Sequence, residues 1–194
     1  MQNYNSNVRI LVDFMYTHGR ALFHVTDQKH LESISREGLL SDVQRQAANI
    51  EPAHPGGNVQ TKAFDADFGL SDYVFLSFSN AGLMPVHKDE RHERRPILLY
   101  IDPAVLFLPG AKLALGRNSY ARQKIYGVER ALDRIDELNV RIFERLLEGE
   151  QQWEDVGLRD KWRLIHVMNF EVLIRSWVPP EYITCQELDN SVRL

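Results

Sequence analysis

Residues 169–174 read Asn-Phe-Glu-Val-Leu-Ile, and residues 23–26 read Phe-His-Val-Thr. Both stretches resemble buried strands, in which a near-continuous run of apolar residues is expected. Glu171 and His24 interrupt these runs with ionisable side chains, one near each end of the chain. Because departures from local consistency are expected at functional sites, these two residues are the first candidates for such a site.

Each of these residues also has a structural interpretation. A histidine in a strand is commonly a half-buried residue that its neighbours satisfy. A glutamate can lie at the edge of a sheet with its carboxylate in water. Glutamate is rarely buried unless it is paired or functional, so Glu171 is the stronger candidate.

The remaining segments predict a mixture of helices and strands. Capping residues and the three- and four-residue spacing of apolar side chains predict helices over residues 6–17, 28–37 and 127–148. Strands are predicted over residues 22–26, 73–79, 96–101 and 164–174, with a short strand or extended tail after Pro180. Roughly five or six strands mixed with about four helices indicate an α+β class. A single domain over residues 1–194 is expected, with a helical insertion over residues 127–163.

Composition limits the classes of function. The net charge of −4 argues against bulk electrostatic binding of nucleic acid, although a local basic groove is compatible with it. The single cysteine, Cys185, excludes an internal disulfide and a cysteine-rich zinc site, which favours a reducing cytoplasm. No apolar run approaches the ~20 residues of a membrane span. The histidines lack the spacing of a helical zinc pair, and the sequence has no glycine-rich phosphate loop.

Residues 117–126 combine cations with aromatic residues. Tyr120 and Tyr126 lie among the basic side chains Arg117, Arg122 and Lys124. Grooves for single-stranded nucleic acid use this combination, with cations on the backbone and aromatic rings under the bases. The charged run 87–95, by contrast, mixes both signs and is typical of a solvated loop.

These marks together resemble the motifs of ADP-ribosyltransferases. The stretch from Phe23 to Thr26, followed by Gly38-Leu39, resembles their first strand and helix. The stretch from Asp72 to Phe78 resembles their second core strand. The segments Glu171 to Ile174, Val178 to Ile183 and Asn118-Ser119 resemble those of one branch, the DarT-type DNA ADP-ribosyltransferase toxins. The resemblance covers roughly residues 20–183 of the sequence.

The resemblance implies an ADP-ribosyltransferase-like α+β fold, with two small packed sheets and flanking helices around an NAD cleft. It also implies NAD⁺ as the co-substrate, without a metal. Catalytic roles fall to Glu171, Arg45 and Asn169, the last on the same strand face as Glu171. NAD⁺-binding roles fall to His24, Val25, Thr26, Gly38, Leu39, Ser77 and Lys62. Arg45 and Lys62 are alternatives for the arginine that the family uses, and Asn118 joins the nucleic-acid residues Arg117, Tyr120, Arg122 and Lys124.

The implied acceptor is a base of single-stranded DNA, and the implied biological role is that of a toxin in a toxin–antitoxin or phage-defence system. Its partner would be an antitoxin, such as a macrodomain that removes the modification. Phe75 and Ser77 stand where the thymidine-modifying toxins carry Pro and Tyr, so RNA stays an alternative acceptor. Transfer to protein side chains and an inactive module that binds an NAD-like ligand are further alternatives.

Overall fold

The structure is a computed structural model that describes residues 6–17, 19–50, 63, 65–78, 96–114, 125–134 and 170–185. Its helices include α1 (Ser6–Thr17), α2 (Leu31–Glu37), α3 (Asp42–Ala47) and α4 (Val128–Arg134), with 3₁₀ helices at Gln28–His30, Pro103–Phe107 and Pro180–Tyr182. Its longer strands are β1 (Leu22–Asp27), β3 (Tyr73–Ser77), β4 (Pro96–Ile101) and β7 (Glu171–Arg175). Its short strands are β2 (Leu39–Leu40), β5 (Lys112–Ala114), β6 (Ile125–Gly127), β8 (Trp177–Val178) and β9 (Ile183–Cys185).

The described strands form two sheets. Seven strands lie in the order β6-β5-β7-β3-β1-β4-β9, and β2 pairs with β8 in a separate two-stranded sheet. Strand β1 pairs with β4 along its whole length. Within the described residues, its register with β3 consists of the single pair Phe23–Ser77. From His24 onward, the described part of β1 is therefore not paired in register with β3.

The main core lies between one face of the large sheet and the helices. Alternate residues of β3 and β7, such as Leu76 and Ile174, are buried in this core. Val12 and Met15 of α1 pack in the same cluster and are 1% and 0% exposed. The apolar spacing that predicted this helix therefore identified its buried face. The Tyr16 hydroxyl donates a 2.5 Å hydrogen bond to Asp102, which ties α1 to the start of the Pro103–Phe107 helix.

A smaller core covers part of the opposite face of the sheet. It consists of the buried residues Leu70, Ala114 and Leu173, with Tyr73 and Phe75 packed against them. Because the central strands are covered on both faces, consecutive residues of β7 are buried, and not only alternate ones. This double burial explains why Val172, Leu173 and Ile174 form an unbroken apolar run.

The α+β class and most of the longer predicted elements are present. The helix over residues 6–17 and the strand over residues 96–101 have the predicted ends. The strands predicted over residues 22–26 and 73–79 end at Asp27 and Ser77, and the predicted helix 28–37 is divided into a 3₁₀ helix and α2. The short strand expected after Pro180 is present as β9. The estimate of five or six strands was wrong, because four further strands, β2, β5, β6 and β8, have only two or three residues each. The predicted elements 127–148 and 164–174 are described only as α4 and β7, and the proposed insertion lies largely outside the described residues. None of the described helices is long and apolar enough to cross a membrane.

Candidate active site

Glu171 begins β7 in the interior of the large sheet. Its cross-strand partners are Ser77 on β3 and Ala114 on β5. Side chains of directly opposed residues in an antiparallel pair point to the same face, with Cβ atoms about 5 Å apart. The Glu171 carboxylate and the Ser77 hydroxyl therefore project from one face as neighbours. Glu171 is half-buried and has a strand on either side, so the alternative of a glutamate at the sheet edge is wrong.

His24 lies at the point where β1 leaves β3. If the pairing continued beyond Phe23–Ser77, Val25 would lie opposite Phe75, but the described register between these strands ends at the first pair. The His24 ring reaches across instead, and its Nδ1 atom lies 2.9 Å from the carbonyl oxygen of Phe75. Because a carbonyl only accepts hydrogen bonds, we assign the proton to Nδ1, which leaves Nε2 as an acceptor.

The His24 imidazole is favoured in its neutral form. Burial lowers its pKa below the usual value, and the hydrogen bond to Phe75 offsets this only in part. A neutral ring with a protonated Nδ1 offers one acceptor nitrogen to a ligand. The chemistry suits a donor such as a hydroxyl group and does not suit an anion.

The two residues singled out from the sequence lie on strands separated by β3 alone. Ser77 pairs with Glu171 on one side and with Phe23, the neighbour of His24, on the other. Two interstrand spacings place the backbones of β1 and β7 about 10 Å apart. The fold thus brings residues from opposite ends of the sequence to the two sides of one strand.

Gly38 lies where the end of α2 contacts the segment that follows β7. Its φ of +80° is one that side-chain-bearing residues rarely adopt, and a Cβ atom there would overlap the carbonyl oxygen of Val178. The next residue, Leu39, is 6% exposed and pairs with Val178 in the two-stranded sheet. The contacts described for Gly38 and Leu39 are thus backbone and core contacts that connect the Gly-Leu motif to the Val-Pro-Pro motif.

Asp72 organises a polar junction just before β3. Its carboxylate accepts hydrogen bonds from Ser41 Oγ at 3.3 Å, Ser176 Oγ at 3.2 Å and Arg175 Nε at 3.4 Å. Ser41 also caps α3 by accepting a hydrogen bond from the Gln44 amide at 3.2 Å. This network was not predicted, although the Ser-x-x-Gln spacing of residues 41–44 is that of a capping box and indicates the start of α3.

Arg45 lies on the helix that starts at this junction. Its guanidinium is paired with Asp42 and its side chain is 20% exposed. The junction adjoins Tyr73, whereas Glu171 is opposite Ser77, four residues further along β3. Four strand residues span about 14 Å, so α3 starts at the far end of β3 from Glu171. The contacts described for Arg45 are with its own helix, and its catalytic role stays a prediction.

The other predicted residues divide into two groups. Val25 and Thr26 are half-buried on β1, beside the point of separation, and face Leu98 and Ile97 of β4. The second group lies outside the described residues and consists of Asn169, Lys62, Arg117, Asn118, Tyr120, Arg122 and Lys124. Within the described part of the chain, no group of His, Cys, Asp and Glu side chains is arranged to hold a metal ion.

Comparison with known proteins identifies the fold. No protein-family model matches the sequence, and neither does any curated protein. Among solved structures, the chain is similar to Thermosipho africanus DarTG in complex with ADP-ribose, with a TM-score of 0.56 and 14% sequence identity. The match covers 85% of this chain and 43% of that chain, so this protein spans less than half the length of its neighbour. The predicted ADP-ribosyltransferase-like α+β fold is confirmed.

Proposed function

We propose that this protein transfers ADP-ribose from NAD⁺ to a base of single-stranded DNA. The observation that carries the proposal is the registered Ser77–Glu171 pair, beside the gap between β1 and β3 that the His24 ring spans. The similarity in fold to a structure solved with ADP-ribose supports the same reading. An inactive binding module would have no need of a carboxylate held in register with a hydroxyl in the interior of a sheet.

The side chains at this position suit the sugar part of NAD⁺. Ribose hydroxyl groups donate hydrogen bonds, which the Ser77 hydroxyl and the Glu171 carboxylate can accept on one face of the sheet. The His24 Nε2 atom can accept them at the gap between β1 and β3, since His24 alternates with Phe23 and starts from the opposite face. We assign His24 and Thr26 to the adenosine ribose and Ser77 to the nicotinamide ribose. Among the described residues, the register between β1 and β3 ends at Phe23, and we assign the β1 backbone near Val25 to the carboxamide of nicotinamide.

The proposed chemistry depends on Glu171. The nicotinamide ring of NAD⁺ is cationic while it is bonded, and it leaves as a neutral molecule because it takes the electron pair of its bond to the ribose carbon. The Glu171 carboxylate stabilises the positive charge that develops on the ribose during this step. A nitrogen of the acceptor base forms the new bond to the same carbon, and Glu171 is placed to take the proton that this nitrogen loses. The roles of Arg45 at the pyrophosphate and of Asn169 at the acceptor base belong to the same proposal.

RNA is the second candidate acceptor. Ser77, the cross-strand partner of Glu171, stands where the DarT toxins that modify thymidine carry a different residue. A different residue beside the Glu171 carboxylate alters the surface that contacts the acceptor, so the acceptor can differ from that of those toxins. We retain DNA as the first choice, with the toxin role and an antitoxin partner, such as a macrodomain hydrolase, as parts of the proposal.

The decisive experiment supplies labelled NAD⁺ to the purified protein with single-stranded DNA, RNA or a protein extract, in separate reactions. We expect label in the DNA. The Glu171→Gln variant should lose transfer by at least 10²-fold, because the amide keeps the shape of the side chain but loses the charge. Glu181→Gln is the matched control, since Glu181 is exposed on the closing segment. Label confined to the protein extract, or an undiminished rate in Glu171→Gln, would show that the proposal is wrong.

A further inference from the structure

A row of directly paired residues crosses the large sheet at the level of Glu171. Strand β7 contributes Glu171, β3 contributes Ser77 and β1 contributes Phe23. Phe23 in turn pairs with Tyr100 on β4. Because directly opposed side chains share a face, all four project from the same side of the sheet as the carboxylate.

Phe23 and Tyr100 form an aromatic pair in this row. Their ring centroids are 5.4 Å apart and their planes make an angle of 66°, which is an edge-to-face contact. Both residues are half-buried, so part of the pair is accessible. Aromatic rings favour edge-to-face and offset-stacked arrangements, so the accessible part of the pair can take a third aromatic ring.

The two sides of Glu171 differ along this row. On the β5 side the face is closed, because Ala114 and Leu173 are 0% exposed under Leu70, which is itself 3% exposed. On the β1 side, Ser77, Phe23 and Tyr100 are all half-buried and keep part of their surface accessible. A planar group that approaches Glu171 across this face is therefore blocked on the β5 side and meets accessible aromatic rings on the β1 side.

We propose that Phe23 and Tyr100 form the surface on which the acceptor nucleobase stacks. The inference rests on the proposed function, in which nicotinamide occupies the gap between β1 and β3. In a displacement at the ribose carbon, the incoming group arrives from the side opposite the leaving group. The aromatic pair lies on β1 and β4, on the face of Glu171, and we assign the approach of the base to this side. Enzymes that modify a base hold it out of its helical stack between aromatic and apolar side chains.

The test replaces each ring and measures binding of the acceptor separately from binding of NAD⁺. The variants are Phe23→Leu and Tyr100→Leu, with Phe23→Tyr and Tyr100→Phe as conservative variants that keep a ring. Tyr73→Leu is the matched control, because Tyr73 is half-buried on the same face, four residues along β3 from Ser77. Thermal unfolding of each variant reports whether a loss of binding follows from a loss of fold.

The direct readout is the fluorescence of a single-stranded oligonucleotide that contains 2-aminopurine, which stacking quenches, titrated without NAD⁺. Removing either ring should weaken this binding by about 10-fold and raise the KM of the acceptor to a similar extent, given typical stacking on aromatic residues. Calorimetric titration with NAD⁺ should be unchanged, and the conservative variants and Tyr73→Leu should resemble the unaltered protein in both readouts.

Two results would overturn the stacking surface. The first is unchanged quenching and acceptor KM in Phe23→Leu and Tyr100→Leu. The second is a loss of NAD⁺ affinity in place of acceptor affinity, which would assign the pair to nicotinamide. Failure of the proposed function is distinguishable from both, because in that case the unaltered protein transfers no ADP-ribose to the oligonucleotide. Quenching that depends on Phe23 would then still support a base-stacking surface.

Discussion

Replacing Gly38 by alanine tests the contact that joins the Gly-Leu segment to the Val-Pro-Pro segment in space. Gly38 ends α2 with φ +80° and ψ −172°, and it leads directly into the two-stranded sheet. A Cβ atom at this position would overlap the Val178 carbonyl oxygen, and it would lie 3.1 Å from a ring carbon of Trp177 and 3.2 Å from Pro180 Cδ. The overlapping oxygen belongs to the backbone, so a side-chain rotation cannot relieve it.

The expected loss of stability has two parts. A non-glycine residue in such a backbone conformation costs about 1–3 kcal/mol. The overlap with Val178 forces β2 and β8 apart, which adds about 2 kcal/mol, the scale of overpacking in a core. We therefore expect Gly38→Ala to lower the free energy of unfolding by about 4 kcal/mol, a large share of the ~5–15 kcal/mol typical of a domain.

Gly19→Ala is the matched control. Gly19 also has a positive φ, of +60°, but a Cβ atom there would have no atom within 4 Å. Gly19→Ala should therefore lower the free energy of unfolding by only about 1–2 kcal/mol, from backbone strain alone. Urea denaturation of both variants, followed by circular dichroism, measures the difference. Equal losses in the two variants would refute the argument, because the contact with Val178 would then contribute nothing.

Three further predictions concern the surroundings of the site. Asp72→Ala should cost about 2–3 kcal/mol, since three donors lose their acceptor, whereas Asp67→Ala at an exposed position should stay within about 0.5 kcal/mol in the same denaturation assay. Burial, with a contribution from the charge of Asp42, raises the pKa of Asp65 to about 6. The free energy of unfolding therefore falls as the pH rises from about 4 to about 6, because the half-buried Asp65 carboxyl then ionises. Asp65→Asn should be more stable than the unaltered protein at pH 7 by about 1 kcal/mol after solvent screening, and its stability should depend less on pH. Burial and Asp102 raise the pKa of Tyr16 to about 12, so stability should fall as the pH rises from about 10 to 12. Tyr16→Phe should remove that pH dependence in thermal melts, and a Tyr16 that ionises at the usual pH in an absorbance titration would contradict this assignment.

Local patterns in the sequence identified the elements whose causes are local. The spacing of Val12 and Met15 predicted the buried face of α1, and Asp27 with Gly38 marked the limits of the helical segment between them. Capping and apolar periodicity depend on residues within one or two turns, so they can be read from the sequence directly. The short strands β2 and β8 escaped prediction, because two residues carry no periodicity and the pairing depends on a partner far along the chain.

The sequence by itself determined which residues were out of place. His24 and Glu171 interrupt apolar stretches, and that alone made them candidates. Only the tertiary structure decided that Glu171 is flanked by Ser77 and Ala114 in the interior of a sheet, and that the His24 ring bridges the gap to Phe75. It also decided that α3, which carries Arg45, starts at the far end of β3, and that Phe23 and Tyr100 share the face of the carboxylate. The physical reason is register: strand pairing sets which distant residues become neighbours, and a shift of one residue would turn every side chain to the other face.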